Sequence, residues 1–232
     1  MENNNDIKNN DLFLGIKGEK FDGDNFAEIA IKKGALAAIV SKDVKNLENK
    51  IVVKNGREAL GKIAQYWKAQ SKIPLVAITG SNGKTTTKEM IGSIISCYVG
   101  SKLKVLMSKG NFNNDIGLPL SLLNIKKTQK FAVVEMGMNH KGEIKYLSEI
   151  AKPDVAVITN IGEAHIEFFG SKAGIAKAKS EIFSGLKKNG IAVINREDEF
   201  YSALKTAALR KKVMTFGLTS KSDVYVLSLI HI

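Results

Sequence analysis

The sequence predicts an α/β protein built on a parallel sheet. Three observations carry this: near-continuous apolar runs of strand length, helix-patterned segments alternating with them, and a glycine-rich turn joining the first such strand to the first such helix. After Pro74 the runs are LVAIT (75–79), LKVLM (103–107), FAVVE (131–135), VAVIT (155–159), IAVI (191–194) and KVMTF (212–216). Segments 84–98, 142–151, 172–186 and 197–209 carry the helical pattern between them. Strands that are apolar on both faces and alternate with helices form a sheet covered on each side. Ligands of such sheets bind at the C-terminal ends of the strands.

The region before Pro74 is looser. Apolar runs at 12–16, 37–40 and 51–53 accompany helical segments at about 25–33 and 57–69, which reads as a small α/β domain. The boundary is expected near Ser71-Lys72-Ile73-Pro74. At the other end, residues 223–229 read as one more strand, with no element after it to cover its apolar side chains. No internal repeat is present, and the only low-complexity tract is the short cluster Asn3–Asn5.

Composition excludes several classes. The chain has 232 residues, 44% apolar and 25% charged, close to the globular average, which rules out wholesale disorder. No apolar run approaches the ~20 residues of a membrane span. The polar N-terminus, MENNNDIKNND, lacks the apolar stretch of a signal peptide. A single cysteine, Cys97, allows neither an intramolecular disulfide nor a cysteine zinc site. A cytoplasmic protein is therefore expected. The net charge is +12, which attracts polyanions. Only Arg57, Arg196 and Arg210 are arginines, and the lysines are scattered without interleaved aromatics. The charge thus reads as a solvated lysine-rich surface, not as a nucleic-acid site.

Strand LVAIT runs into Gly80-Ser81-Asn82-Gly83-Lys84-Thr85-Thr86 and then a helix. The glycines let backbone N–H groups converge on an anion, and the helix start adds partial positive charge. Lys84 is expected to contact the β- and γ-phosphates of a nucleotide, and Thr85 to offer its hydroxyl to Mg²⁺. The spacing is shorter than G-x-x-x-x-G-K-[ST]: Ile78 stands where that pattern has its first glycine.

Further residues carry a functional and a plain reading side by side. Glu135 ends strand FAVVE on the phosphate-loop edge, where a carboxylate holds nucleotide-bound Mg²⁺ or faces water as an ordinary strand end. His165, in the loop after VAVIT, reads by itself as a surface residue. Lys179 lies on one helix face with Ile175, Ile182 and Leu186, so it interrupts an apolar stripe. Such a lysine snorkels at the rim or has altered chemistry, and position alone favours the first. Asn111, Asn113, Asn114 and Asp115 follow LKVLM; their side chains suit a sugar nucleotide but also suit a turn.

TGSNGKTTTKEM resembles the ATP loop of the Mur ligase family, which uses the short form. KGEKFDGDNF (17–26), GNFNNDIGLPLSLL (110–123), VVEMGMNHKGEI (133–144), NIGEAHIEFFGS (160–171) and AKAKSEIFSGL (176–186) resemble those members that add a dipeptide, and GNFNNDIGLP is the most specific of them. The resemblance runs from about Asp11 to about Gly217. It implies a partial UDP-substrate domain at 1–72 and an ATP-binding domain at 73–232 that is incomplete at its C-terminus, with the family's C-terminal domain absent. It implies an ATP-dependent ligase joining D-alanyl-D-alanine to UDP-N-acetylmuramoyl-tripeptide through an acyl phosphate. These are small-molecule partners, taken by a monomer in peptidoglycan precursor synthesis.

By the same resemblance, Glu135 and His165 bind metal, and His140 has a supporting place. Lys179 would react with CO₂ to form a carbamate that serves a second Mg²⁺; only a neutral amine reacts so, and a lowered pKa helps. Asn111, Asn113 and Asn114 would form a substrate loop. Lys17-Gly18-Glu19 and Asp22-Gly23-Asp24 resemble the uridine-nucleotide domain, although turn formation explains them nearly as well. The family's Asp-Ser-Arg or Asp-Thr-Arg is replaced here by Asn3-Asn4-Asn5. Rival readings are a ligase of this family adding one amino acid, a folylpolyglutamate-type enzyme, a P-loop NTPase acting on nucleic acid, and a catalytically silent nucleotide-binding protein. These 232 residues alone are expected not to complete the ligation.

Overall fold

The computed structural model describes residues 7–45 and 47–227, so Asn3–Asn5 and the segment from Ser228 onward lie outside the described residues. The chain divides into two compact units, 1–63 and 64–232. In the first, β1 (Leu12–Leu14), β2 (Ala37–Val40) and β3 (Lys50–Val52) form a parallel three-stranded sheet in that order. Between β1 and β2 lies α1 (Ala27–Lys32), entered through a 3₁₀ turn at Gly23–Phe26 that Asp22 caps by accepting from the Asp24 N–H. The next helix, α2 (Gly56–Ser71), starts where Asn55 Oδ1 accepts from the N–H groups of Arg57 and Glu58. The division between units falls within α2, and the boundary read from the sequence lies just beyond its end.

The second unit holds the parallel sheet the sequence predicts. Its strands are β4 (Leu75–Thr79), β5 (Val105–Met107), β6 (Phe131–Glu135), β7 (Val155–Ile158), β8 (Ile191–Asn195), β9 (Lys212–Gly217) and β10 (Val224–Tyr225). Their spatial order is β10-β9-β8-β7-β4-β6-β5. From β4 the chain steps out to edge strand β5, returns through β6 beside β4, then crosses to β7 on the other side. The order therefore reverses about β4, and the crevice of such a sheet opens at that point.

Period-two alternation supplies two cores. Leu75, Ala77, Ala132, Val134, Ala156 and Ile158 face one side, against α5 (Glu143–Ala151), α7 (Lys172–Ser180) and α8 (Ile182–Gly185). Ile78, Val133 and Val157 face the other, against Ile91, Ile95 and Val99 of α3 (Lys84–Tyr98) and its end.

Several boundaries differ from the sequence reading, each for a local reason. Strand β5 is shorter because Lys102–Lys104 form a 3₁₀ turn whose start is capped by Ser101. The expected helix 172–186 breaks at Glu181 into α7 and α8. Two helices that periodicity did not show are α4 (Gly117–Leu123) and α6 (Ile166–Phe169), and α9 (Tyr201–Ala207) is shorter than 197–209. Pairing of the last strand covers only Val224 and Tyr225 among the described residues.

Candidate active site

The turn 80–83 joins the C-terminal end of β4 to the start of α3. Gly83 takes φ +76°, and a side chain there would be strained even though the space beside it is open. No side chain caps α3, and its first turn holds no acidic residue. The first N–H groups of the helix thus have no helical acceptor and point at the mouth of the turn. That combination is an anion cradle.

The loop is strapped from β7. Thr159 Oγ1 donates to the Asn82 carbonyl at 2.7 Å. Asn160 accepts from the Asn82 N–H through Oδ1 at 3.0 Å and donates to its carbonyl through Nδ2 at 3.1 Å. Ser81 Oγ accepts from the Gly162 N–H at 2.8 Å. Sequence reasoning missed Thr159 and Asn160, because these contacts follow from β4 and β7 being neighbours and not from any local pattern.

Lys84 Nζ donates to the Gly80 carbonyl at 2.8 Å. Lys179 Nζ, from α7, donates to the same oxygen at 3.0 Å. Lys179 is 2% exposed, so the apolar stripe buries it and it does not snorkel to the rim. Burial, reinforced by the charge of Lys84, brings its pKa down to about 7. Lys84 is also lowered by burial, against the pull of Glu135 in the other direction.

Strand parity places Glu135. Phe131, Val133 and Glu135 share one face, and that face looks toward α3. Thr85, in the first turn of α3, donates its hydroxyl to Glu135 Oε2 at 2.8 Å. Asn113 Nδ2 donates to Oε1, also at 2.8 Å. Glu135 is 2% exposed, and among the described residues it forms no ion pair. A buried carboxylate held only by neutral donors, beside a hydroxyl at the mouth of an anion cradle, fits the hard oxygen set that Mg²⁺ takes.

The structure therefore brings Gly80, Ser81, Asn82, Gly83, Lys84, Thr85, Glu135, Asn113 and Lys179 together; Thr86 follows in the same first turn. His165 follows β7 and starts α6: its ring lies 6.4 Å from that of Phe168, and its backbone takes the left-handed φ of +67°. Among the described residues no three His, Cys, Asp or Glu side chains gather about one point. Asn114 Oδ1 accepts from the Gly117 N–H at 2.8 Å and so starts α4, while Asn111 is exposed.

A model of the Mur ligase middle domain matches residues 78–231, well over half of the chain. The chain belongs to the Mur ligase family. A second family model, the Mur ligase catalytic domain, matches residues 4–68. Among Mur ligases, the UDP-N-acetylmuramoyl-tripeptide–D-alanyl-D-alanine ligase of Haemophilus influenzae is 46% identical over 189 residues, covering 81% of this chain and 41% of that protein. A crystal structure of MurF from Acinetobacter baumannii superposes with a TM-score of 0.90 at 39% identity, over 98% of this chain and 49% of that one. The MurF ligase of Thermotoga maritima, in complex with ADP, gives 0.84 at 35% identity over 94% and 49%. The chain spans about half the length of the Mur ligases it matches.

Proposed function

We propose that this chain carries the nucleotide-activating part of an ATP-dependent amide ligase. That ligase phosphorylates the terminal carboxylate of UDP-N-acetylmuramoyl-tripeptide and transfers the acyl group to the amine of D-alanyl-D-alanine, acting as a cytoplasmic monomer. The observation that carries the reading is the pairing of an uncapped, Gly83-led helix start with Lys84, and of Thr85 with the buried Glu135. The names of the relatives, and the ADP in one of them, supply the substrates.

In this reading, the N–H groups of residues 83–86 and Lys84 hold the phosphates of ATP. On nucleotide arrival Lys84 exchanges the Gly80 carbonyl for phosphate oxygen, a stronger charge-assisted partner. Thr85 and Glu135, with His165, would hold Mg²⁺, which when bound neutralises charge on the transferring phosphoryl. Lys179 supports the fit to a second Mg²⁺: at neutral pH much of its amine is unprotonated, so its nitrogen forms a bond to CO₂ carbon and releases one proton to water. The resulting carbamate is anionic and lies at the phosphate loop. Asn113 places Glu135, and Asn111 and Asn114 lie on the loop proposed to meet the sugar nucleotide.

The test is phosphate release from Mg²⁺–ATP with UDP-N-acetylmuramoyl-tripeptide, with and without D-alanyl-D-alanine. Release that requires the muramoyl peptide supports the reading. Release indifferent to it, or stimulated by DNA in its place, overturns it.

A further inference from the structure

His140 lies in the loop between β6 and α5, and the nucleotide chemistry above makes no use of it. The loop is anchored at three points. The Gly137 N–H donates to the Asn113 carbonyl at 2.8 Å, and Asn113 is the residue that holds Glu135. Glu143 Oε2 accepts from the N–H groups of Asn139 at 2.6 Å and His140 at 3.0 Å. The Gly142 N–H donates to Glu181, at the α7–α8 break, at 3.1 Å.

The second Glu143 oxygen, Oε1, lies 3.2 Å from His140 Nδ1. Burial works to raise the pKa of Glu143, but the two N–H bonds and the imidazole hold it below the usual carboxylate range. An ionised carboxylate only accepts, so the hydrogen of this contact sits on Nδ1 and Nε2 is the ring's outward nitrogen. Among the described residues every hydrogen bond of the ring runs through Nδ1. The side chain is 72% exposed, so Nε2 is open to an incoming molecule. Its ring lies 5.8 Å from Phe168, which in turn neighbours His165. An oriented, accessible imidazole thus stands on the strand edge that carries Glu135 and the phosphate loop.

We propose that His140, oriented by Glu143 beside the Phe168 ring, is the catalytic base that takes the proton from the attacking amine. This rests on the acyl-phosphate reading above. The amine nitrogen bonds to the acyl carbon, the carbon–oxygen bond to phosphate breaks, and its electron pair leaves on phosphate. The surplus N–H proton passes to Nε2 and then to water. An α-amine has a pKa near ~8, so at neutral pH a large share arrives protonated and has a proton to lose before or during attack. A carboxylate-oriented imidazole is suited to that transfer.

The experiment uses two nucleophiles on the same acyl phosphate. Hydroxylamine is largely unprotonated at neutral pH and traps it as a hydroxamate; D-alanyl-D-alanine gives the amide. In a version of this chain extended to the length of the ligases it matches, wild-type and His140→Gln, the ratio of amide to hydroxamate is measured with Mg²⁺–ATP and UDP-N-acetylmuramoyl-tripeptide. The ratio is expected to fall about 100-fold in the variant. In His140→Ala, added imidazole is expected to restore part of the amide. An unchanged ratio, or imidazole without effect, overturns the assignment while leaving the acyl-phosphate reading intact. Hydroxamate without amide from the extended wild-type protein shows that the dipeptide does not attack this acyl phosphate and overturns it too. No hydroxamate from the extended wild-type protein fells the acyl-phosphate reading, and the assignment with it.

Discussion

At the scale of single residues, the Gly80 carbonyl accepts one hydrogen bond from Lys84 and another from Lys179, so two amines share one acceptor and cannot both be charged without cost. The folded pKa of Lys179, about 7, lies below the ordinary value of 10.5. Between those values the unfolded chain binds the proton and the folded chain does not, so this group makes stability rise with pH above about 7. Lys179→Met removes that cost. In carbonate-free buffer the variant is expected to be the more stable by urea melting, with the largest gap below pH 7 and a shrinking one toward pH 10. A gap that is constant with pH contradicts the assignment.

Glu135→Gln removes the charge with little change of shape: its amide oxygen still accepts from Thr85, while its NH₂ group no longer accepts from Asn113 Nδ2. Nucleotide affinity in the presence of Mg²⁺ is expected to drop toward the Mg²⁺-free value, with melting unchanged or improved. The placement of Lys84 and Thr85 at a helix start was legible because a strand, a tight turn and a helix start are contiguous in sequence. Asn113 was legible only as a member of an asparagine-rich loop. Its contact with Glu135 depends on β5 and β6 being neighbours, which no local pattern states.

Among elements, the near-continuous apolar runs gave β4 and β6 their full lengths, and strand parity in the structure then sets the face on which Glu135 lies. The break at Glu181 left no mark in the pattern, since Ile175, Lys179, Ile182 and Leu186 continue one helical face across it. At the break, Glu181 turns to the start of α5, accepting from the Gly142 and Lys145 N–H groups. Helix α4 was masked by Pro119, which is tolerated in a first turn whose N–H groups have no helical acceptor. Close approach of α5 and α8 has one weak point: a Cβ on Gly185 would meet the Ser148 carbonyl oxygen at 2.0 Å. Gly185→Ala is expected to cost about 2 kcal/mol, as overpacking of a tight interface does. Chemical denaturation reads this directly, and an unchanged midpoint would show that the two helices can separate without penalty.

For the whole molecule, the fold class was legible because doubly covered strands have a composition of their own, but the strand order was not. The reversal about β4, which sets the crevice at the phosphate loop, arises from long-range pairing. The net charge of +12 is a property of the same scale. It is expected to give only weak DNA binding that fades steeply with added salt, as contacts to phosphate alone do. Fluorescence anisotropy with duplex and single-stranded DNA checks this, and tight, sequence-selective binding at physiological salt would revive the nucleic-acid NTPase reading.

The proposed chemistry depends on the turn 80–83 and the start of α3 holding a nucleotide through Lys84. Calorimetric titration of the chain with Mg²⁺–ATP, beside Lys84→Ala, tests it most directly. Loss of a charged hydrogen-bond partner of phosphate removes on the order of 1.5–3 kcal/mol, so the variant is expected to bind about tenfold more weakly or worse. Equal affinity in the two proteins would show that the nucleotide does not bind through Lys84.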